Sequence, residues 1–303
     1  LGWRMRTSGR IGKRGTRLWE VGLGGCRGRT RVPVPNSGAS IGGGAFFECA
    51  SLTSVPVPAS VTDVGRSVFR FCSSLTVIEV GAGNANYSAE DGVLFNKDKT
   101  TLVSFGGGKS GSYAVPDTVT FINDSSFESC DTLTSLTIPA SVTSIGTFAL
   151  GGCDGLTSIA VSSENAQYTS ENGVLFNKDK TTLIQFPGGK SGNYSIPNTV
   201  TAIDREAFRE CRVLTSLTIP NSVTSIRNQA FYGCSGLTSV TIPDSVTTIG
   251  YSAFDRCRGL TSVTIGDSVT SIEGYAFASC WKLTSVTIPE DRKSTRLNSS
   301  HKP

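Results

Sequence analysis

The chain has 303 residues, 38% hydrophobic and 17% charged, which is enough apolar content to bury a core. No run approaches the roughly 18 apolar residues of a membrane-spanning helix, and no apolar leader follows Leu1, so the chain reads as a fragment without its own ends. The net charge of +4 comes from the two ends: residues 1–32 hold nine Lys/Arg against Glu20, and the tail from Asp291 holds four against one. The body between carries 15 basic and 22 acidic residues, which argues against a nucleic-acid partner.

A 23-residue unit recurs along the chain. Leu214 begins LTSLTIPNSVTSIRNQAFYGCSG, Leu237 begins LTSVTIPDSVTTIGYSAFDRCRG and Leu260 begins LTSVTIGDSVTSIEGYAFASCWK. The nine cysteines share one position of it: Cys26, Cys49, Cys72, Cys130, Cys153, Cys211, Cys234, Cys257 and Cys280, spaced by 23 or 58. In the copy from Leu237, Leu-x-x-Val-x-Ile alternates like a strand with one buried face. Pro243 ends it, Asp244-Ser245 turns the chain, and Val246 and Ile249 point inward again. Ala253-Phe254-x-x-Cys257 has the i, i+1, i+4 spacing of one or two helical turns. One unit cannot bury this set alone, whereas stacked units bury it continuously, as in a solenoid. Nine cysteine-bearing rungs about 4.8 Å apart predict a rod on the order of 45 Å, which inserts could lengthen.

In chain order, residues 1–10 are unassigned. Residues 11–289 form the solenoid, beginning with poor copies of the unit. There Leu18, Leu23 and Cys26 hold core sites, but Arg29 stands at the repeat Leu, Gly15 and Gly38 at the repeat Val, and Arg14, Arg17 and Arg31 at Ser. An arginine at a core site costs several kcal/mol unless its charge reaches water. A terminal cap repeat is one explanation; base errors at a read end are the one favoured by the substitution pattern. Regular units begin at Leu52, Leu75, Leu133, Leu156, Leu214, Leu237, Leu260 and Leu283. Those from Leu75 and Leu156 carry near-identical additions, at about 81–114 and 162–195, containing "NANYSAEDGVLFNKDKTTLVSFGGGKSGSYAVP" and "NAQYTSENGVLFNKDKTTLIQFPGGKSGNYSIP". Each predicts a β-hairpin turning at Asn-Lys-Asp-Lys. If the inserts loop out, the two hairpins lie about two rungs (roughly 10 Å) apart and can stack; if they add rungs of their own, they cannot. Residues 290–303, with the lone His301, break the repeat abruptly and read as a non-native tail: residues 291–301 resemble a translated sequencing adapter.

The pattern LTSVTIPxSVTxIGxxAFxxC resembles the BspA-like (treponemal-type) leucine-rich repeat over about residues 25–289. The resemblance implies an α/β repeat solenoid, right-handed, with a parallel β-sheet face, short helical turns on the other side and two β-hairpin inserts. It also implies a cell-surface or secreted setting and adhesion to matrix proteins or other cells.

Other chemistry reads poorly. "GGGKSG" and "PGGKSG" lack the earlier glycine and the following helix of a phosphate-binding loop, with Val103 and Ile184 at the glycine's place. The cysteines have neither C-x-x-C spacing nor histidine partners, so zinc binding and thiol catalysis lack their parts; a ladder of small buried hydrophobes fits instead, formed by Cys49, Cys72, Cys130, Cys153, Cys211, Cys234, Cys257 and Cys280. No enzyme, cofactor or metal site is expected. Sequons at Asn86, Asn123 and Asn193 matter only in a secreted chain. Outward Ser/Thr pairs such as Ser239/Thr241 and Ser262/Thr264 give a wettable face, or a hydroxyl lattice for ice or polysaccharide. The expectation is a non-enzymatic recognition or adhesion module for a protein or glycan ligand. Its alternatives are a structural or hydroxyl-ladder surface and the ectodomain of a larger receptor or enzyme. The hairpin tips, Lys97-Asp98-Lys99 and Lys178-Asp179-Lys180, are the candidate contact residues, because loops on a rigid scaffold carry contacts.

Overall fold

A computed structural model describes residues 17–18, 25 and 28–287. Residues 1–10, Leu23, Cys26 and the tail 290–303 with His301 lie outside the described residues. The described chain is a β-solenoid. Each turn has a longer strand, such as Ser239–Ile242, and a short one, such as Thr248–Ile249. Val240 and Ile242 are buried while Ser239 and Thr241 are exposed. Among the described residues nine two-residue strands of the short type run from Arg17–Leu18 to Ser271–Ile272, and the longer Thr101–Phe105 and Thr182–Gln185 stand in the same file. Equivalent residues pair in parallel one unit apart, as in Ser239↔Ser262↔Ser285 and Ile226↔Ile249↔Ile272. The imperfect early copies join this register: Arg17 pairs with Ser40 and Arg31 bridges to Ser54. Arg29, at the repeat Leu position, is exposed, and Arg31 reaches Glu79 at 3.2 Å.

The expected helical turns are not there: no helix occurs among the described residues. The arc from Gly250 to Cys257 is a chain of tight turns, closed by Ala253 N–H to the Gly250 carbonyl and Cys257 N–H to that of Phe254. Ser252 and Arg256 have φ of 51° and 59°, which a right-handed helix cannot contain. Alternate amides therefore face along the rod. Those of Ser252, Phe254 and Arg256 donate to the carbonyls of Gly274, Ala276 and Ala278 in the next turn, at 2.9, 2.7 and 2.9 Å. A left-handed residue costs about 1–3 kcal/mol, and these ladder bonds over-determine the conformation that holds it.

Stacking also explains the repeat's hydroxyls and thiols. Thr224, Thr261 and Thr270 each donate to the threonine carbonyl 23 residues earlier, and Ser222 and Ser245 to the valine carbonyl 22 earlier. Inside, the rings of Phe186, Phe208, Phe231, Phe254 and Phe277 stack in sequence, with centroids 4.8 to 5.2 Å apart. The eight cysteines of the ladder are all buried. Several thiols make a further contact: those of Cys72, Cys153, Cys234, Cys257 and Cys280 donate to a carbonyl 26 residues earlier at 2.9–3.1 Å, that of Phe in each case.

The inserts do not loop out to stack; each adds a turn of its own. In the first, Tyr87–Glu90 and Val93–Asn96 form an antiparallel hairpin, and Thr101–Phe105 continues the sheet and pairs in parallel with Phe121–Ile122. Gly111–Ala114 then joins the long-strand sheet beside Leu133–Ile138. Leu102 and Phe105 take core sites of an ordinary turn, so the insert can pair into the ladder on the side it exits. The second insert repeats this through Tyr168–Glu171, Val174–Asn177, Thr182–Gln185 and Gly192–Ser195. On the side it enters, the hairpin replaces a rung. The amides of Val64 and Ile145 donate to the hydroxyls of Tyr87 and Tyr168 instead of to a strand. Buried Asn84 and Asn165 each donate to two carbonyls of the preceding turn and accept from two amides of the hairpin. The middle hairpin strand is a wall: Leu94 faces the core behind it, while Val93 and Phe95 face the core ahead. Leu175, against Val174 and Phe176, does the same, so the core falls into three blocks with two joints.

Candidate recognition surface

The solenoid presents three surfaces. The long-strand face carries files of hydroxyls, Ser239, Ser262, Ser285 and Thr241, Thr264, Thr287, in register. The hairpin tips project from the inserts. The arcs form a third face, where the side chains of the tight turns collect.

At the tips, the lysines are tied inward. Lys97 donates to the Asn84 carbonyl at 2.9 Å and Lys178 to that of Asn165; Lys99 and Lys180 pair with Glu90 and Glu171, both at 2.6 Å. These bonds hold the hairpin on the rod. Asp98 and Asp179 are the exposed acids left at the two tips.

The arc face is richer in arginine and aromatic groups. Phe71 is 38% exposed, Tyr251 43%, Tyr275 61% and Trp281 71%. Arginines lie over the rings: Arg70 over Phe71 at 4.7 Å, Arg209 over Tyr232 at 4.8 Å and Arg258 over Trp281 at 4.6 Å. Such contacts hold both partners in one geometry at a modest gain. None of these residues is marked by the repeat, because they occupy its variable positions.

The arc face also carries the perturbed acids, and they gather at the second joint. Burial pushes Glu206 up to about 8, although Arg209 works against it. Glu206 is 2% exposed and neither carboxylate oxygen has a hydrogen-bond partner; the nearest guanidinium nitrogen, of Arg209, is 3.7 Å away. Burial likewise raises Asp154 to about 6 against the pull of Arg212, and raises Asp131. Two thiols beside them move the same way: burial pushes Cys153 up to about 12 and Cys130 well above its ordinary value. Buried thiols with raised pKa are poor nucleophiles. Among the described residues no group of three Cys, His, Asp or Glu could hold a metal, and no helix is long and apolar enough to cross a membrane. The joint is built from residues 58 apart in sequence, which no local motif marks. Laying the two insert-bearing halves over each other would have exposed it, because they differ most at the joint.

Comparison with known proteins agrees with this architecture. The model of the BspA type leucine rich repeat region matches in six copies, over residues 22–106, 102–191 and 184–300. Among solved structures, a leucine-rich repeat protein from Eubacterium ventriosum is 27% identical with a TM-score of 0.61, over 86% of this chain and 73% of that one. A leucine rich cell surface protein from Faecalibacterium prausnitzii is 28% identical with a TM-score of 0.52, over 85% and 78%. The pneumococcal vaccine antigen PcpA, at 20% identity and a TM-score of 0.50 over 85% and 67%, shares the fold. A search of curated proteins gives no match. The chain belongs to the BspA-type leucine-rich-repeat family.

Proposed function

We propose that this chain is a non-enzymatic recognition or adhesion module that binds a protein or glycan of a cell surface or matrix through its arc face. The observation that carries this reading is a set of exposed aromatic rings at arc positions, Tyr251, Tyr275 and Trp281 in neighbouring turns and Phe71 in a much earlier one, with Arg70 over Phe71 and Arg258 over Trp281. Trp, Tyr and Arg dominate binding energy at protein interfaces, and a rod orders few groups on binding. The structural relative named as a cell surface protein supports the setting. The hairpin-tip acids Asp98 and Asp179 are secondary contact candidates, since the tip lysines serve the scaffold. Surface plasmon resonance against a panel of matrix proteins, with a glycan array, tests the reading. Saturable binding to a panel member, weakened by Trp281→Ala with Tyr275→Ala, supports it; no binding across both panels refutes it.

The in-register files Ser239–Ser262–Ser285 and Thr241–Thr264–Thr287 favour one second reading, a hydroxyl-lattice surface for ice or a polysaccharide. Thermal hysteresis of freezing, or polysaccharide retention lost on Thr264→Asp, would support that reading over the first.

A further inference from the structure

The two joints are internal copies of each other, 81 residues apart, and their charges differ. In each, the inserted turn is narrower than its neighbours. At the second joint Leu183 pairs with Ile203 and Phe186 stacks on Phe208. Two residues separate Leu183 from Phe186, where four separate Ile203 from Phe208. The inserted turn is therefore recessed between the arcs on either side, and a notch crosses the arc face there.

At the first joint, arginines of the earlier arc reach across the inserted turn to acids of the later one. Arg66 pairs with Asp124 at 3.0 Å, and Arg70 Nε lies 2.9 Å from Glu128 Oε1. At the second joint all four positions have changed. Thr147 and Gly151 stand in place of the two arginines, and Arg205 and Arg209 in place of the two acids. The later arc has become cationic, and the earlier arc offers it no carboxylate at those positions. Arg209 is engaged elsewhere: it hydrogen-bonds Gln229 at 3.1 Å and lies over Tyr232 at 4.8 Å. Arg205 is exposed and makes no ion pair among the described residues. Its neighbours in sequence do not answer its charge. Asp204 Oδ1 accepts from the Arg205 amide and from Arg227 at 2.7 Å. The Glu206 carboxylate is sealed from solvent, and burial, which pushes it up to about 8, keeps it mostly protonated at neutral pH.

The notch holds a cavity of about 160 Å³, roughly ten times the ~15 Å³ that one water needs. Ile184 of the inserted turn lines it, with Ile145, Thr147 and Phe148 on the earlier arc and Arg205 on the later one. Ile145, Phe148 and Ile184 are only half-buried, so they present apolar surface beside the guanidinium. A guanidinium meets a carboxylate with charge-assisted bonds, and an apolar lining with one charged group fits a carboxylate carried on an aliphatic stem. A sugar acid would set hydroxyls against the two isoleucines and the phenylalanine, so the protein side chain is the better match.

We propose that this notch is a docking site for an acidic side chain of a protein partner, with Arg205 as its counter-charge and Ile145, Phe148 and Ile184 packing its stem. An ion pair that the first joint closes within the chain is completed here by the partner, which supplies the acid. The inference rests on the recognition reading and names the partner's chemistry at one site of it.

The test uses the whole chain and the capped peptide Ac-Gly-Glu-Gly-NH2, with glutamine replacing glutamate as the neutral control. Amide NMR titration should give saturable shifts at residues 145–148, 184–185 and 204–206. Affinity should fall at least about tenfold for the glutamine peptide and for Arg205→Gln. The double variant Thr147→Arg with Arg205→Asp rebuilds the pair of the first joint and should remove the saturable shift. Both positions are exposed and neither has positive φ, so the variants can be accommodated. No saturable shift up to about 20 mM peptide, well beyond a dissociation constant of about 1 mM, overturns the proposal. Equal binding of the glutamine peptide or undiminished binding by Arg205→Gln does the same. Stronger shifts at the same residues from glucuronate than from the peptide would overturn the protein occupant in favour of an acidic glycan. The panel measurement is separate: partner binding untouched by the double variant would sink this site and leave the recognition reading standing.

Discussion

Replacing Glu206 by glutamine should stabilise the protein, and more so as pH rises. Burial moves the carboxyl from 4.5 to about 8, so the folded chain holds its proton more tightly than the unfolded chain does. Stability from this group is fully present below pH 4.5 and is lost as pH rises through 8. A shift of that size corresponds to a ceiling of about 4–5 kcal/mol at 1.36 kcal/mol per unit. Local relaxation and water entry reduce it, and about 2–4 kcal/mol is the expected loss. Glutamine keeps the shape and never ionises, so the variant should match the parent near pH 4.5 and exceed it above pH 8. Asp154 and Asp131 shift in the same direction and remain in both proteins, so the comparison isolates Glu206. Paired thermal melts from pH 4.5 to 9 read the effect directly, as a gap between midpoints that opens by several degrees. A constant gap, or one that closes with rising pH, would refute the reasoning.

Other expectations follow from the packing. Phe231→Ala removes the central ring of a five-ring stack and should cost about 3–5 kcal/mol, whereas Phe277→Ala, at the half-buried end, should cost less by chemical denaturation. Asn165→Ala strips partners from two buried carbonyls and two hairpin amides, so it should cost at least about 2 kcal/mol and raise hydrogen exchange in residues 167–168 before the rest of the rod. The eight buried thiols should resist a thiol-reactive dye in the native state and react together on denaturation; fast labelling of several in the native state would contradict their burial.

Much of this was legible in the sequence, for identifiable reasons. Val240 and Ile242 alternate with Ser239 and Thr241, and a period of two specifies a strand wherever it stands. The register of the cysteines fixed which residues stack on which. The arc misled because Ala253, Phe254 and Cys257 sit at a spacing shared by a helical turn and by tight turns in series. The difference lies in whether Phe254 N–H bonds within its own turn or to Ala276, 22 residues on, and that partner is not local. The inserts were recognised as hairpins from their turn residues. That Thr101–Phe105 would rejoin the ladder depended on Phe121 offering it an edge. The candidate site was least visible: the tip lysines looked available, yet Lys97 and Lys178 bond to the carbonyls of Asn84 and Asn165. The buried Glu206 stands where the other half has Ser125, a contrast seen only once the halves are laid over each other.

The account turns on which face of the rod meets a partner. The decisive measurement is binding to a panel-selected partner by two variants, one with Trp281 and Tyr275 changed to alanine on the arc face and one with Thr241 and Thr264 changed to aspartate on the sheet face. The arc variant should lose most of its affinity while the sheet variant keeps it; the reverse pattern would contradict the account.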